Sequence, residues 1–265
     1  MREQPQIVIP DSVVMPRTEI HTAKNGVKIY TLRSEDFEVV RFSFVFRAGT
    51  SMQHKPFTAS ATLNMLSEGS RSMTAQQIAE TLDFYGTYFD ANIDRDYVYI
   101  SLALLTKFCD NVFPVLREII LNPAFNESEL RTYSNKRQQG LAIERRKIEV
   151  QSRELFGQAL FGAEHPYGES ADESLYDNLT REDLVELYNE LYTAENCFVV
   201  CSGNIDHSVI RNLEQIVEAL PSGRKPEVTL PKPKTTYSIR KPIDTAVQSS
   251  IRIGRLLFPR SHPDF

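Results

Sequence analysis

Long apolar runs are missing from this 265-residue sequence, and so is any excess of positive charge. No stretch approaches the ~20 consecutive apolar residues of a membrane-spanning helix, so no membrane span is expected. The formal net charge of −5 gives no electrostatic footprint for a nucleic-acid partner. Cysteine is scarce: Cys109, Cys197 and Cys201 are too few for a disulfide framework and read as buried thiols of a reducing compartment. The opening MREQPQIVIPDSVV lacks the apolar core of a secretory signal. A cytoplasmic location is therefore expected, or a periplasmic one if a signal peptide has been removed. Histidines are few and scattered: His21, His54, His165, His207 and His262 show no local metal-binding spacing. Neither a Gly-rich phosphate loop nor an evident Ser-His-Asp set is present.

What is there suits a globular fold with an ample core, at 41% apolar and 25% charged residues. Residues 18–30 read as a hairpin turning at Lys24-Asn25-Gly26, because Asn-Gly favours the tight turn. Val40, Phe42, Phe44 and Phe46 alternate along a strand over 37–46. The segment 57–70, FTASATLNMLSEGS, has the apolar spacing of a helix, with Thr58 or Ser60 as its cap and Gly69 as its end. A second helix opens at Thr74, where Gln77 completes a capping box. Strands over 87–93 and 97–105 turn at Asp94-Arg95-Asp96, and a helix over 106–121 stops before Pro123. One very long helix is expected over 127–161, kinked at Gly140. Its Arg145-Arg146-Lys147 run reads as a solvated face.

A helix capped by Thr180, a fully buried strand over 196–203 and a helix capped by Asp206 follow. In that strand Cys197 and Cys201, four apart, share one face. Prolines then accumulate over 221–241, as in an extended linker, and strand character returns over 247–258. The expected fold class is α+β, a mostly antiparallel sheet flanked by helices.

The order of these pieces carries more than any one of them. A strand ending in FVFRAGT, a helix, EGS and then SMTAQQIAETLDFYGTYFDANIDRDYVYISL resembles the first domain of the pitrilysin/insulinase and mitochondrial-processing-peptidase family. The loop His165-Pro166-Tyr167-Gly168, the strand NCFVVCSGNID and the segment TAVQSSIRIG extend the resemblance over about residues 18–254. It implies a processing-peptidase-like metallohydrolase fold with two similar α/β halves in each domain. Residues 1–222 would form the first domain, 223–241 a linker, and 242–265 the first strand of a second, homologous domain that the sequence does not complete. His165 and Tyr167 are expected to fix their loop by hydrogen bonds.

In active members of that family the first helix carries H-x-x-E-H, and a third ligand, a Glu, follows roughly 75 residues further on. Two imidazoles and that carboxylate bind zinc, and the motif's own Glu activates the attacking water. Aligned on the M-L-x-x-G-x stretch, the first His falls on Ser60, the Glu on Leu63 and the second His on Asn64. The third ligand falls on Leu141, with Glu144 the nearest carboxylate. No residue of 57–70 is a histidine, so no shift of register restores the motif.

The resemblance therefore implies a homologue without catalytic residues, metal or cofactor of its own. Its expected role is that of a non-catalytic subunit pairing with a zinc-bearing homologue around an extended or unfolded peptide. Two alternatives stand beside it. One is an active zinc peptidase with an unconventional site that recruits residues such as His165 or Glu144. The other is an interaction scaffold.

Overall fold

The computed structural model describes residues 17–34, 36–170, 172–227, 229–244, 246–259 and 261–265. The opening stretch read above as lacking a signal core lies outside the described residues. Strands β1 (Glu19–Thr22), β2 (Lys28–Arg33), β3 (Val39–Phe46), β4 (Tyr88–Ile93), β5 (Val98–Leu105) and β6 (Cys197–Gly203) form one sheet in the order β1-β2-β6-β3-β5-β4. Every pairing is antiparallel except β2 with β6. The helices are α1 (Thr58–Met65), α2 (Ala75–Phe84), α3 (Cys109–Leu121), α4 (Glu127–Glu144), α5 (Ile148–Phe161), α6 (Arg181–Leu191) and α7 (His207–Glu218). The class is the expected α+β.

The register explains how the core is built. Phe42 sits opposite Leu102 on one side and Cys201 on the other; Phe44 sits between Ile100 and Val199. All six side chains are buried and belong to the core that the helices close. Fully burying one such side chain contributes about 1.5–3 kcal/mol, so this face of β3 alone anchors the sheet. Its other face carries Arg41, Ser43 and Val45, and there Ser43 and Ser101 share a 2.7 Å hydrogen bond. β6 alternates in the same way: Val200 points to the open face and is 43% exposed. The strand is thus half-buried, where its apolar composition had suggested burial on both faces.

Both capping boxes form. Thr74 and Gln77 cap α2, and Thr180 and Asp183 cap α6. Asp206 caps α7 through the Val209 N–H at 2.8 Å. The helix expected over 127–161 is two helices. Gly140 lies unremarkably inside α4, and the chain breaks at 145–147. There Gln151 Nε2 donates to the Arg145 carbonyl at 2.8 Å, taking an acceptor the helix would otherwise use. The Arg145 guanidinium turns inward to Glu173 at 2.8 Å and Glu154 at 3.4 Å. With its side chain only 20% exposed, Arg145 is a structural ion-pair centre and not part of a solvated face.

After α7 the described chain is extended. Lys234 and Thr236 donate backbone N–H groups to the carbonyls of Phe161 and Ala159, at 2.9 and 2.8 Å, at the end of α5. The strand expected over 247–258 does not form: Val247 and Ile253 are fully or nearly fully exposed, and no sheet partner reaches them among the described residues.

Candidate functional site

Helix α1 enters through an unusual residue. Phe57 occupies its N-cap position with φ 69° and ψ −9°, a left-handed conformation that costs an aromatic residue about 1–3 kcal/mol. Its ring stacks on Tyr176 with centroids 3.9 Å apart and planes 6° from parallel. That stack holds the strained residue in place. Neither expected cap operates: the Thr58 hydroxyl is buried without a partner, and Ser60 Oγ donates back to the Phe57 carbonyl at 3.0 Å. Gln53, from the preceding loop, accepts the Ala59 N–H at 3.2 Å instead. The helix ends at Met65, and Gly69, at φ 114°, turns the chain three residues beyond the C-cap Leu66.

The aligned motif positions are all placed. Ser60, Leu63 and Asn64 lie within two turns of α1, which packs against α4 and α6. Asn64 is exposed, and its Nδ2 donates to the Ser60 carbonyl at 2.8 Å. Leu63 is 1% exposed, a core residue. On α4 the side chain beside the Ser60 hydroxyl is Tyr133. Leu141 lies two turns further along the same stripe of α4, about 12 Å by helix rise, and packs against the core.

Tyr133, Arg137 and Tyr176 are site residues that sequence reasoning missed. Their signal was available only in part: Tyr133, Arg137 and Leu141 are spaced by four and so share one face of α4. Tyr176 comes from a 3-10 turn at Glu173–Asn178, and its ring meets that of Tyr133 edge-on at 6.4 Å. The Tyr133 hydroxyl is buried close to Ser60 and Arg137, without a well-formed hydrogen bond to either. Burial, reinforced by Tyr176, pushes its pKa up to about 12.

This donor set does not fit zinc. An alcohol that donates to its own helix, an amide already engaged and two leucines offer no imidazole, thiolate or carboxylate. Among the described residues no three His, Cys, Asp or Glu side chains gather as a metal-binding group. His165 is buried between Phe161 and Tyr167, and its Nδ1 accepts the Tyr167 N–H at 3.0 Å. Tyr167 in turn donates its hydroxyl to Asp96 at 2.6 Å, and Arg95 donates to the Pro166 carbonyl at 3.2 Å. The His165 bond fixes the loop as expected, and the bonds to Asp96 and from Arg95 tie it to the β4–β5 hairpin tip as well. Glu144 is exposed at the end of α4, and His54 pairs with Glu190 at 3.1 Å. The three cysteines are free and buried, and burial pushes the thiols of Cys109 and Cys201 up to about 12.

What the site retains is an edge. Among the described residues β4 ends the sheet, pairs only with β5, and lies beneath α1 and α2. Its outer backbone groups have no strand partner within the sheet.

Comparison with known proteins accords with this geometry. Residues 58–158 match the family described as Insulinase (Peptidase family M16), and residues 178–265 match the Peptidase M16 inactive domain. An uncharacterized zinc protease of Rickettsia bellii is 23% identical over 207 residues, covering 76% of this chain and 50% of that protein. Mitochondrial-processing peptidase subunit alpha-1 of Dictyostelium discoideum is 21% identical over 253 residues, 91% of this chain and 37% of its own length. The crystal structure of a peptidase M16 inactive domain from Pseudomonas fluorescens superposes with a TM-score of 0.76 at 21% identity, over 82% of this chain and 54% of that one. The chain thus spans about half the length, or less, of the curated relatives it matches. With both family models matched in order along one sheet-and-helix scaffold, the chain is a homologue of the M16 (insulinase) peptidase family.

Proposed function

We propose that this chain is the metal-free half of a two-subunit peptidase, holding an extended peptide that a zinc-bearing homologue cuts. The observation that carries the reading is a conjunction. The family's scaffold is retained around α1, including the clamped hairpin and the open edge of β4. At the same time, positions 60, 63 and 64 supply an alcohol, a core alkyl group and an amide. A chamber around a peptide needs walls on both sides, whereas only one wall needs metal. Backbone pairing to a free strand edge holds a peptide with little dependence on its side chains. One of the relatives above is itself named as a subunit of a processing peptidase, which is consistent with division of labour between chains.

The test is to mix the protein with a homologue from the same source that carries intact H-x-x-E-H. Size-exclusion chromatography should show a complex, and a quenched unfolded peptide should be cleaved far faster by the mixture than by either chain alone. No complex, or full activity from the zinc-bearing chain by itself, would favour a scaffold without a peptide role.

A further inference from the structure

Helix α5 stands apart from the core. Its apolar side chains, among them Val150, Leu155, Phe156 and Leu160, are only half-buried, and none of them joins the buried core cluster. A helix of 14 residues is marginal in water by itself, and helices usually take their stability from an apolar face packed on a core. What orders α5 must therefore lie at its ends and along its outer side.

The last four carbonyls of a helix have no partner within it. At the end of α5 all four are satisfied. Gln158 accepts the Gly162 N–H at 2.8 Å. The other three accept from the extended linker: Ala159 from the Thr236 N–H at 2.8 Å, Leu160 from the Thr235 hydroxyl at 3.0 Å, and Phe161 from the Lys234 N–H at 2.9 Å. Lys234 also sets its ammonium 2.9 Å from Glu164, at the end where the helix dipole favours a cation. The linker then runs back along the helix. Lys241 closes one side of a cleft of about 380 Å³, whose other walls include Arg145, Gln151, Glu154 and Ser170 at the break that opens α5. Further on, Gly254 lies so near Phe156 that a side chain there would strike the ring, at 2.7 Å. The only other support at the C-terminal end is the loop 165–168, where His165 and Tyr167 meet the Phe161 ring at 5.1 and 5.3 Å.

We propose that residues 232–241 are a releasable strap. Docked, they cap α5 and close the cleft at the α4–α5 break. Lifted, they let α5 open as a unit of its own while the sheet and α1–α3 stay folded. The strap thereby couples the position of the chain beyond it to the order of α5 and to the access of that cleft, independently of any peptide-holding role.

The experiment is hydrogen exchange read by mass spectrometry on wild type, on Lys234→Pro with Thr236→Pro, and on Lys232→Pro. Proline has no N–H, so the double variant loses two of the capping bonds. Lys232 makes no backbone hydrogen bond among the described residues and serves as the control. Amides of 155–161 should exchange about tenfold faster or more in the double variant, as the loss of two neutral hydrogen bonds allows. Amides of β3 and α3 and the melting temperature should stay at wild-type values, and Lys232→Pro should match wild type throughout. Unchanged exchange over 155–161 in the double variant would overturn the strap. Equal acceleration of α5, β3 and α3 would overturn it too, since α5 would then open only with the whole domain. The same rise in Lys232→Pro would show that chain stiffening, and not the lost bonds, frees the helix, and would likewise refute the proposal.

Discussion

Replacing Leu63 by glutamate restores the acid of H-x-x-E-H at its aligned position and places a carboxyl group where this structure has core. Leu63 is 1% exposed, with Thr62 and Leu66 equally buried on the same helix. Losing its buried alkyl group costs about 2–3 kcal/mol. A carboxyl group left there without a partner costs about 1–3 kcal/mol more, even when protonated. The total of about 3–6 kcal/mol is a large share of the 5–15 kcal/mol typical of a folded domain. Ionisation adds to it. Burial raises the folded-state pKa above the unfolded value of about 4.3, and each unit of that rise adds about 1.4 kcal/mol of destabilisation.

The sign follows from linkage: the ionic part is absent below the unfolded pKa and grows as pH rises toward the raised folded pKa. Urea unfolding of wild type, Leu63→Glu and Leu63→Gln, near pH 4 and again above pH 7, separates the contributions. The Gln variant should lose similar stability at both values, and the Glu variant distinctly more at the higher one. A Glu variant within about 1 kcal/mol of wild type at both pH values would contradict burial of position 63 in the core. It would mean that this position opens to water, as a catalytic acid requires. For the same reason Ser60→His, Leu63→Glu and Asn64→His together should give no robust peptidase, since Leu141 still supplies no third ligand.

Two smaller predictions rest on local hydrogen bonds. Tyr188 donates its hydroxyl to the Ile120 carbonyl at 2.6 Å in a buried setting, so Tyr188→Phe should cost about 1–2 kcal/mol in thermal unfolding. Burial raises the Asp183 carboxyl, but hydrogen bonds from Lys55, at 2.6 Å, and from Thr180 outweigh it and leave the pKa below the usual range. Its stabilisation is therefore present above the unfolded pKa of about 3.9 and disappears as pH falls through the folded value. Asp183→Asn should accordingly destabilise by about 1–2 kcal/mol at neutral pH, with the gap closing in acid.

The elements legible in the sequence were those whose cause is local. Thr74 with Gln77, Thr180 with Asp183, Asp206 and the Asn25-Gly26 turn act within a few residues, and each helix or hairpin they announce is present. The alternation of Val40 to Phe46 needed only the pleat. What failed depended on distant partners. Helix α1 takes its cap from Gln53 and its entry strain from a stack on Tyr176, more than 100 residues away in sequence. The break at 145–147 comes from Arg145 pairing with Glu173 and Glu154, while the conspicuous Gly140 does nothing. At the site, the loss of histidine and carboxylate was plain from residues 60, 63 and 64. The tyrosines and arginine beside them were not, because they converge from α4 and a later turn.

The most direct measurement is the zinc content of tag-free protein, by elemental analysis after exposure to excess zinc and desalting. Far less than one zinc per chain is expected, unchanged in Ser60→Ala and Asn64→Ala. One zinc per chain in the wild type, lost in either variant, would contradict it.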